Sequence, residues 1–180
     1  MIMDFPGATW LPATAYRKGR RRRIGAIILH SSDGSVEGDL ATLTGPRVSA
    51  HYYVTRCGHL YQLVREADTA YHAGTVRKDS WSNAATIGIE QEHRDGLQDW
   101  PAAQVRAVAE LVADIRRRRG ELPVLSHAVV AAPRGRKQDP AGYPWALLSG
   151  LVRAAAPVPS AENPCSLAGM VGHETTADRP

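Results

Sequence analysis

The sequence predicts an α/β domain, and three observations carry that prediction. Residues 24–30 form a near-continuous apolar run of strand length. Residues 86–92 alternate with period two, and residues 101–119 repeat apolar positions at helical spacing. The 180 residues suffice for one sizeable core and not for two large ones. With 43% apolar and 22% charged residues, the composition is that of an ordinary soluble globular protein. No stretch approaches the roughly 20 apolar residues of a membrane-spanning helix.

Residues 1–23 carry prolines and then a basic run, and are expected to be an irregular lead-in. The run Ile24-Gly25-Ala26-Ile27-Ile28-Leu29-His30 suits a strand covered on both faces. A polar loop, Ser31 to Ser35, leads to a short helix near Glu37 to Leu43, stopped by Gly45-Pro46. Residues 50–64 read as a hairpin turning at Cys57-Gly58, and residues 65–85 as a long polar loop. In the segment 86–92, Ile87 and Ile89 share one face while Gly88 and Glu90 share the other.

Pro101 is expected to open a helix whose stripe is Val105, Val108, Leu111, Val112 and Ile115. Arg116 to Arg119 suit the negative end of its dipole, and Gly120 ends it. A short strand, 124–126, approaches His127. A last helix, 143–153, is expected around Trp145, Leu147, Leu148 and Leu151. Residues 154–180 are poor in large apolar groups, carry four prolines, and are expected to be a disordered tail or linker. The organisation is therefore a lead-in (1–23), one domain (24–153) and a tail (154–180).

Two distant cysteines, Cys57 and Cys165, exclude a disulfide scaffold and a cysteine zinc finger. The N-terminus has no basic region followed by an apolar one, so no secretion signal is readable. Lys and Arg number 22 against 18 Asp and Glu, and the net charge of +4 is concentrated at 17–23 and 116–119. A basic surface favours polyanions, but no nucleic-acid-binding motif accompanies it. A nucleic-acid-binding domain built on the arginine clusters is thus the weaker alternative.

The chemistry gathers at a few residues. His30 ends a buried strand, His127 follows a short apolar segment, and Asp139 lies in a polar loop. Two imidazoles and a carboxylate make a zinc set that leaves one position open for water. In isolation, a strand-end histidine is more often a hydrogen-bonded core residue. Glu90 adds a carboxylate beside Gly88, which has no side chain.

Five local sequences occur in a fixed order. They are Ile27-Ile28-Leu29-His30-Ser31-Ser32, Val48-Ser49-Ala50-His51-Tyr52, His72-Ala73-Gly74, Ile87-Gly88-Ile89-Glu90, and Ser126-His127 followed by Arg136-Lys137-Gln138-Asp139-Pro140. Together they resemble the zinc-dependent N-acetylmuramoyl-L-alanine amidases, which include phage endolysins, bacterial autolysins, recycling amidases and peptidoglycan recognition proteins. The resemblance spans residues 24–150.

The resemblance implies an α/β fold with a mixed central β-sheet flanked by helices and zinc in a surface groove. It implies His30, His127 and Asp139 as ligands of one Zn²⁺ per chain, and Glu90 and Lys137 as catalytic groups. His51 and His72 fall at motif positions near the groove, where orienting substrate and a structural role are equally open readings. Ala50 stands where some members carry a tyrosine, which leaves Glu90 as the main proton-transfer group. The stretch from His127 to Asp139 is a residue or two longer than is common.

The expected activity is cleavage of the amide between N-acetylmuramic acid and L-alanine in peptidoglycan. Zinc lowers the pKa of bound water toward about 7, Glu90 moves the proton, and Lys137 stabilises the oxyanion. Among family members a phage endolysin fits best: a monomer made in the cytoplasm, acting on the wall after release, with anionic wall polymers as further partners. The alternatives are a non-catalytic peptidoglycan-binding module and a bacterial autolysin or recycling amidase.

Overall fold

The computed structural model describes residues 3–155. Its main sheet has six strands: β1 (Thr9–Trp10), β3 (Ala26–Leu29), β4 (Tyr52–Val54), β5 (Leu60–Gln62), β7 (Thr86–Gln91) and β8 (Val124–Ser126). Their order is β1-β5-β4-β7-β3-β8. Only β4 and β5 run antiparallel, as the expected hairpin; every other neighbour pair is parallel. A second, two-stranded sheet pairs β2 (Tyr16–Arg17) with β6 (Thr69–Ala70). Among the described residues, four helices complete the fold: α1 (Val36–Thr44), α2 (Ala102–Arg119), α3 (His127–Val130) and α4 (Trp145–Ala154). Among the described residues, no helix is long and apolar enough to cross a membrane.

Alternation divides the strands between two cores. Ile27 and Leu29 of β3, Ile87 and Ile89 of β7, and Tyr52 and Val54 of β4 meet the α2 stripe and Leu148 of α4. All five expected stripe residues of α2 are inaccessible to water. Burying each such side chain contributes roughly 1.5–3 kcal/mol. On the opposite face, Tyr53 joins Leu43 and Leu63 beneath α1, and Ile28 packs with Ala73 and Val130. Gly88 and Glu90 also face that side, so β7 is apolar toward the helices and chemical toward the cleft.

Helix ends follow from local chemistry. Ser35 caps α1 by accepting a hydrogen bond from the Gly38 N–H, with Glu37 and Asp39 in its first turn. Pro101 stands just before α2 rather than as its first residue, and Gly120, at φ 87°, ends it. In α4, Leu148 is buried but Leu147 is exposed, against expectation. One residue turns the helix by 100°, which carries Leu147 off the stripe.

The lead-in is not irregular. Its β1 extends the main sheet through β5, its β2 builds the second sheet with β6, and Phe5, Ala8, Ala13 and Ala15 are buried. The expected long loop 65–85 likewise contains β6 and two short 3₁₀ turns, Asp79–Trp81 and Asn83–Ala85. The tail lies outside the described residues except for its first two, of which Ala154 closes α4.

Of the two basic clusters, Arg116 to Arg119 fall in the last turn of α2 as expected, while the first differs from expectation. Arg20 is drawn inward, donating to the carbonyls of Glu66, Asn83, Ala84 and Thr86. Burial pulls its pKa down to about 10, against the opposing effect of the Glu66 carboxylate. At the end of α2, Arg118 makes two hydrogen bonds to the fully buried Glu66, at 2.7 and 2.8 Å, and Arg119 adds one at 3.1 Å. Arg118 also bonds Asp114 at 2.7 Å, and the Tyr52 hydroxyl donates to Glu66 at 2.8 Å. Burial opposes the charge on Glu66, but the Arg118 hydrogen bond and charge outweigh it and hold its pKa below the usual range.

Removing one partner of such a group strands the other charge. Glu66→Ala is expected to lower unfolding free energy by about 3 kcal/mol, the lower end for a broken buried pair, because Arg118 keeps part of its surface in water. Urea denaturation reads this directly. An unchanged midpoint would mean that water alone satisfies the two arginines.

Candidate active site

The site lies where three parallel strands end together. In the sheet register, Leu29 of β3 stands opposite Ile89 of β7 and Ser126 of β8. The next residues, His30, Glu90 and His127, therefore arrive at one edge. The Ser126 hydroxyl accepts from the Val129 N–H, which starts α3 at His127 and fixes the ring's direction. The Ala128 N–H donates to the Asp139 carbonyl at 2.9 Å, tying the Asp139 loop to α3.

Three donor atoms converge. His30 Nδ1 and His127 Nδ1 are 3.0 Å apart. Asp139 Oδ2 is 3.1 Å from His127 Nδ1 and 3.5 Å from His30 Nδ1. A tetrahedral ion bound at about 2.0–2.2 Å sets its ligand atoms about 3.3–3.6 Å apart, close to this triangle. Imidazole and carboxylate donors suit a borderline divalent ion such as zinc. Among the described residues, this trio is the group of metal-capable side chains whose donor atoms cluster so closely. Asp139 is 14% exposed, while both histidines are buried.

Glu90 Oε1 lies 3.8 Å from His30 Nδ1, and Glu90 Oε2 is buried with no protein hydrogen-bond partner among the described residues. Burial first, and then the Asp139 and Asp39 carboxylates, push the Glu90 pKa up to about 8. Burial opposes ionisation of Asp139, but in the metal-free site the His127 and His30 rings against it hold its carboxyl well below the usual range. His30 is pulled down to about 4, chiefly by burial, so it is a neutral donor at pH 7.

These residues line a cleft of about 270 Å³, whose walls include Ser31, Ser32, Asp39, Val48, Tyr71, His72 and Lys137. Lys137 is exposed and reaches the cleft from the same loop as Asp139. Asp39 was not anticipated. It comes from α1 and accepts hydrogen bonds from Ser32 and, at 2.7 Å, from Tyr53. A single Asp in a helical pattern carries no sign of this, because its partners are brought by β4 and the loop after β3.

The two remaining histidines separate. His72 lines the cleft and packs its ring over Gly88, where an added Cβ would lie 2.3 Å from His72 Cγ. The missing side chain at position 88 is thus space for an imidazole. His51 does not line the cleft: it is fully buried beside β7, its ring centroid 5.7 Å from that of His72, and cannot orient substrate by contact. Its Nδ1 accepts from the Gly88 N–H at 3.0 Å, and Arg20 Nη2 lies 2.6 Å from its Nε2. His51 therefore braces the strand that carries Glu90.

An α/β sheet with two imidazoles and a carboxylate at the mouth of a cleft, and a second carboxylate beside them, has the build of a metal-dependent hydrolase. Residues 20–142 match the model of the N-acetylmuramoyl-L-alanine amidase family, more than half of the chain. The chain belongs to this family. It is 33% identical over 147 residues to the N-acetylmuramoyl-L-alanine amidase AmiD of Escherichia coli strain K12, over 71% of this chain. It spans about half (52%) of that relative's length.

A solved structure of E. coli AmiD, in complex with the substrate anhydro-N-acetylmuramic acid-L-Ala-D-gamma-Glu-L-Lys, superposes with a TM-score of 0.64 at 32% identity. It covers 75% of this chain and 60% of that one. The Pseudomonas aeruginosa protein AMPDH3, in complex with an anhydromuramic pentapeptide, gives 0.65 at 27% identity, over 78% and 65%. AmpD gives 0.70 over 84% of this chain and 99% of its own, at 23% identity, a likeness of fold.

The His51 environment sets a pH dependence. Burial, and next the Arg20 charge, pull its pKa down to about 3, against roughly 6.5 in an unfolded chain. Below pH 6.5 the unfolded chain takes up a proton that the native state refuses. The stabilisation is therefore complete above 6.5 and is lost as pH falls toward 3, at up to about 1.4 kcal/mol per pH unit. Urea midpoints between pH 7.5 and 4.5 should fall less steeply for His51→Asn than for the natural protein. Parallel slopes would assign the acid sensitivity to other groups.

Proposed function

We propose that this protein hydrolyses the amide between N-acetylmuramic acid and L-alanine in peptidoglycan or its fragments, with one zinc ion held by His30, His127 and Asp139. The observation that carries this reading is the triangle of donor atoms, 3.0–3.5 Å on a side, with Glu90 beside it in the same cleft. When bound, zinc supplies Lewis-acid polarisation of the scissile carbonyl and acidifies a water. The AmiD and AMPDH3 complexes support muropeptides as the ligand class.

The chain's own groups divide the remaining work. Glu90 Oε2, an acceptor without a protein partner, takes the proton from the attacking water and returns it to the departing amine of L-alanine. Burial beside the Asp139 and Asp39 carboxylates raises the Glu90 pKa in the metal-free protein, and a dication held by the neighbouring ligands would favour the carboxylate form that accepts a proton. Lys137, which lines the same cleft, is the cation assigned to stabilising the negative charge that develops on the carbonyl oxygen. The narrower reading, a phage endolysin acting on intact wall after release, draws support from the exposed Arg21 and Arg23 and the half-exposed Arg117, which suit anionic polymers.

His30→Ala and His127→Ala are each expected to lose bound zinc along with turnover, because a three-ligand site is opened. Metal analysis of the purified variants checks this, and full occupancy in both would sink the assignment. Glu90→Gln should keep zinc and fold while lowering turnover on the order of 10²–10⁴-fold. Mass spectrometry of digested muropeptides, with and without chelator, measures the loss. Release of L-alanine-terminated stems from whole sacculi supports the lytic role, whereas turnover confined to soluble fragments assigns the enzyme to recycling.

A further inference from the structure

A neutral histidine that offers Nδ1 to a metal carries its proton on Nε2, and a fixed acceptor there sets the ring's orientation. His30 Nε2 is 3.0 Å from His72 Nδ1. That leaves the His72 proton on Nε2, 3.3 Å from Thr86 Oγ1, which donates onward to the Ser82 carbonyl at 2.9 Å. Every donor in this series meets an acceptor. His127 Nε2 is 3.1 Å from the Ala73 carbonyl oxygen. The two candidate ligands are thus steered by adjacent residues, one through a ring and one through a backbone oxygen.

One side chain holds that pair in place. Asn83 Oδ1 accepts from the His72 N–H at 3.1 Å and from the Ala73 N–H at 2.8 Å. The Asn83 backbone is itself clamped, since Arg20 Nη1 donates to the carbonyls of Asn83, Ala84 and Thr86 at 3.3, 3.3 and 3.0 Å. Asn83 does not line the cleft. We propose that Asn83 is a positioning residue for the metal centre, aligning both ligand histidines at once through His72 and Ala73. This rests on the zinc reading above.

The test measures zinc affinity by chelator competition, together with the visible spectrum of the cobalt-substituted protein and the melting temperature of the metal-free form. Asn83→Ala is expected to weaken zinc binding 10–100-fold and to perturb the cobalt spectrum. Asn83→Asp keeps an acceptor for both N–H groups and should recover most of the affinity. If Asn83→Ala does not fold, Thr86→Val removes only the hydroxyl at the far end of the series and should weaken binding several-fold. Natural zinc affinity in folded Asn83→Ala or Thr86→Val overturns the proposal, as does equal loss in Asn83→Ala and Asn83→Asp. A lower metal-free melting temperature with unchanged affinity shows a purely structural role. Failure of the natural protein to bind zinc overturns the metal reading itself, and this inference with it.

Discussion

The parallel pairing of β3 with β7 and β8 is the constraint on which the molecule depends. Parallel strands point their carboxyl ends the same way, so a register that aligns Leu29, Ile89 and Ser126 also delivers His30, Glu90 and His127 to one edge. A register shift of one residue would turn Glu90 into the apolar core and Ile89 into the cleft. The α2 stripe forbids that slip, because Ile87 and Ile89 fill the space against Val108, Leu111 and Val112. The helix packed on one face of the sheet therefore sets the chemistry of the other face.

Buried charge does comparable work at the opposite end of the sheet. Glu66 takes Arg118, Arg119 and Tyr52 together, while the Asp4 carboxylate accepts from the Glu66 N–H and from Gln62. Arg20 completes the system by binding the carbonyls of Glu66, Asn83, Ala84 and Thr86. The lead-in, the end of α2 and the turn before β7 are thereby held as one piece. Ions this well partnered satisfy their hydrogen-bonding capacity, and what they contribute most clearly is a single arrangement of the chain.

The elements legible in the sequence are those whose burial writes a pattern. A strand covered on both faces leaves the run 24–30, and a helix with one face on a sheet leaves the α2 stripe. The two-residue strands β1, β2 and β6 leave none, since two residues have no period. Residues 1–23 read as irregular because polar contacts from Asp4, Gly19 and Arg20 secure much of them, and the partners lie more than 40 positions away. At the site, the ordered motifs marked His30, Glu90, His127 and Asp139. The part played by His51 was not legible, because it depends on Arg20 and on a backbone N–H of β7. Asn83 is a lone amide in a loop, and nothing in its neighbours announces it.

The close approach of His72 to Gly88 has a consequence for how such chains diverge. The imidazole ring occupies the volume that any Cβ at position 88 would need. A descendant that gains a side chain at the glycine must move or discard the ring, and one that discards the ring removes the pressure keeping the glycine. The two positions are therefore sterically coupled although they lie 16 positions apart. In a survey of related sequences, a chain that breaks the pair on one side only marks a cleft rebuilt in some other way.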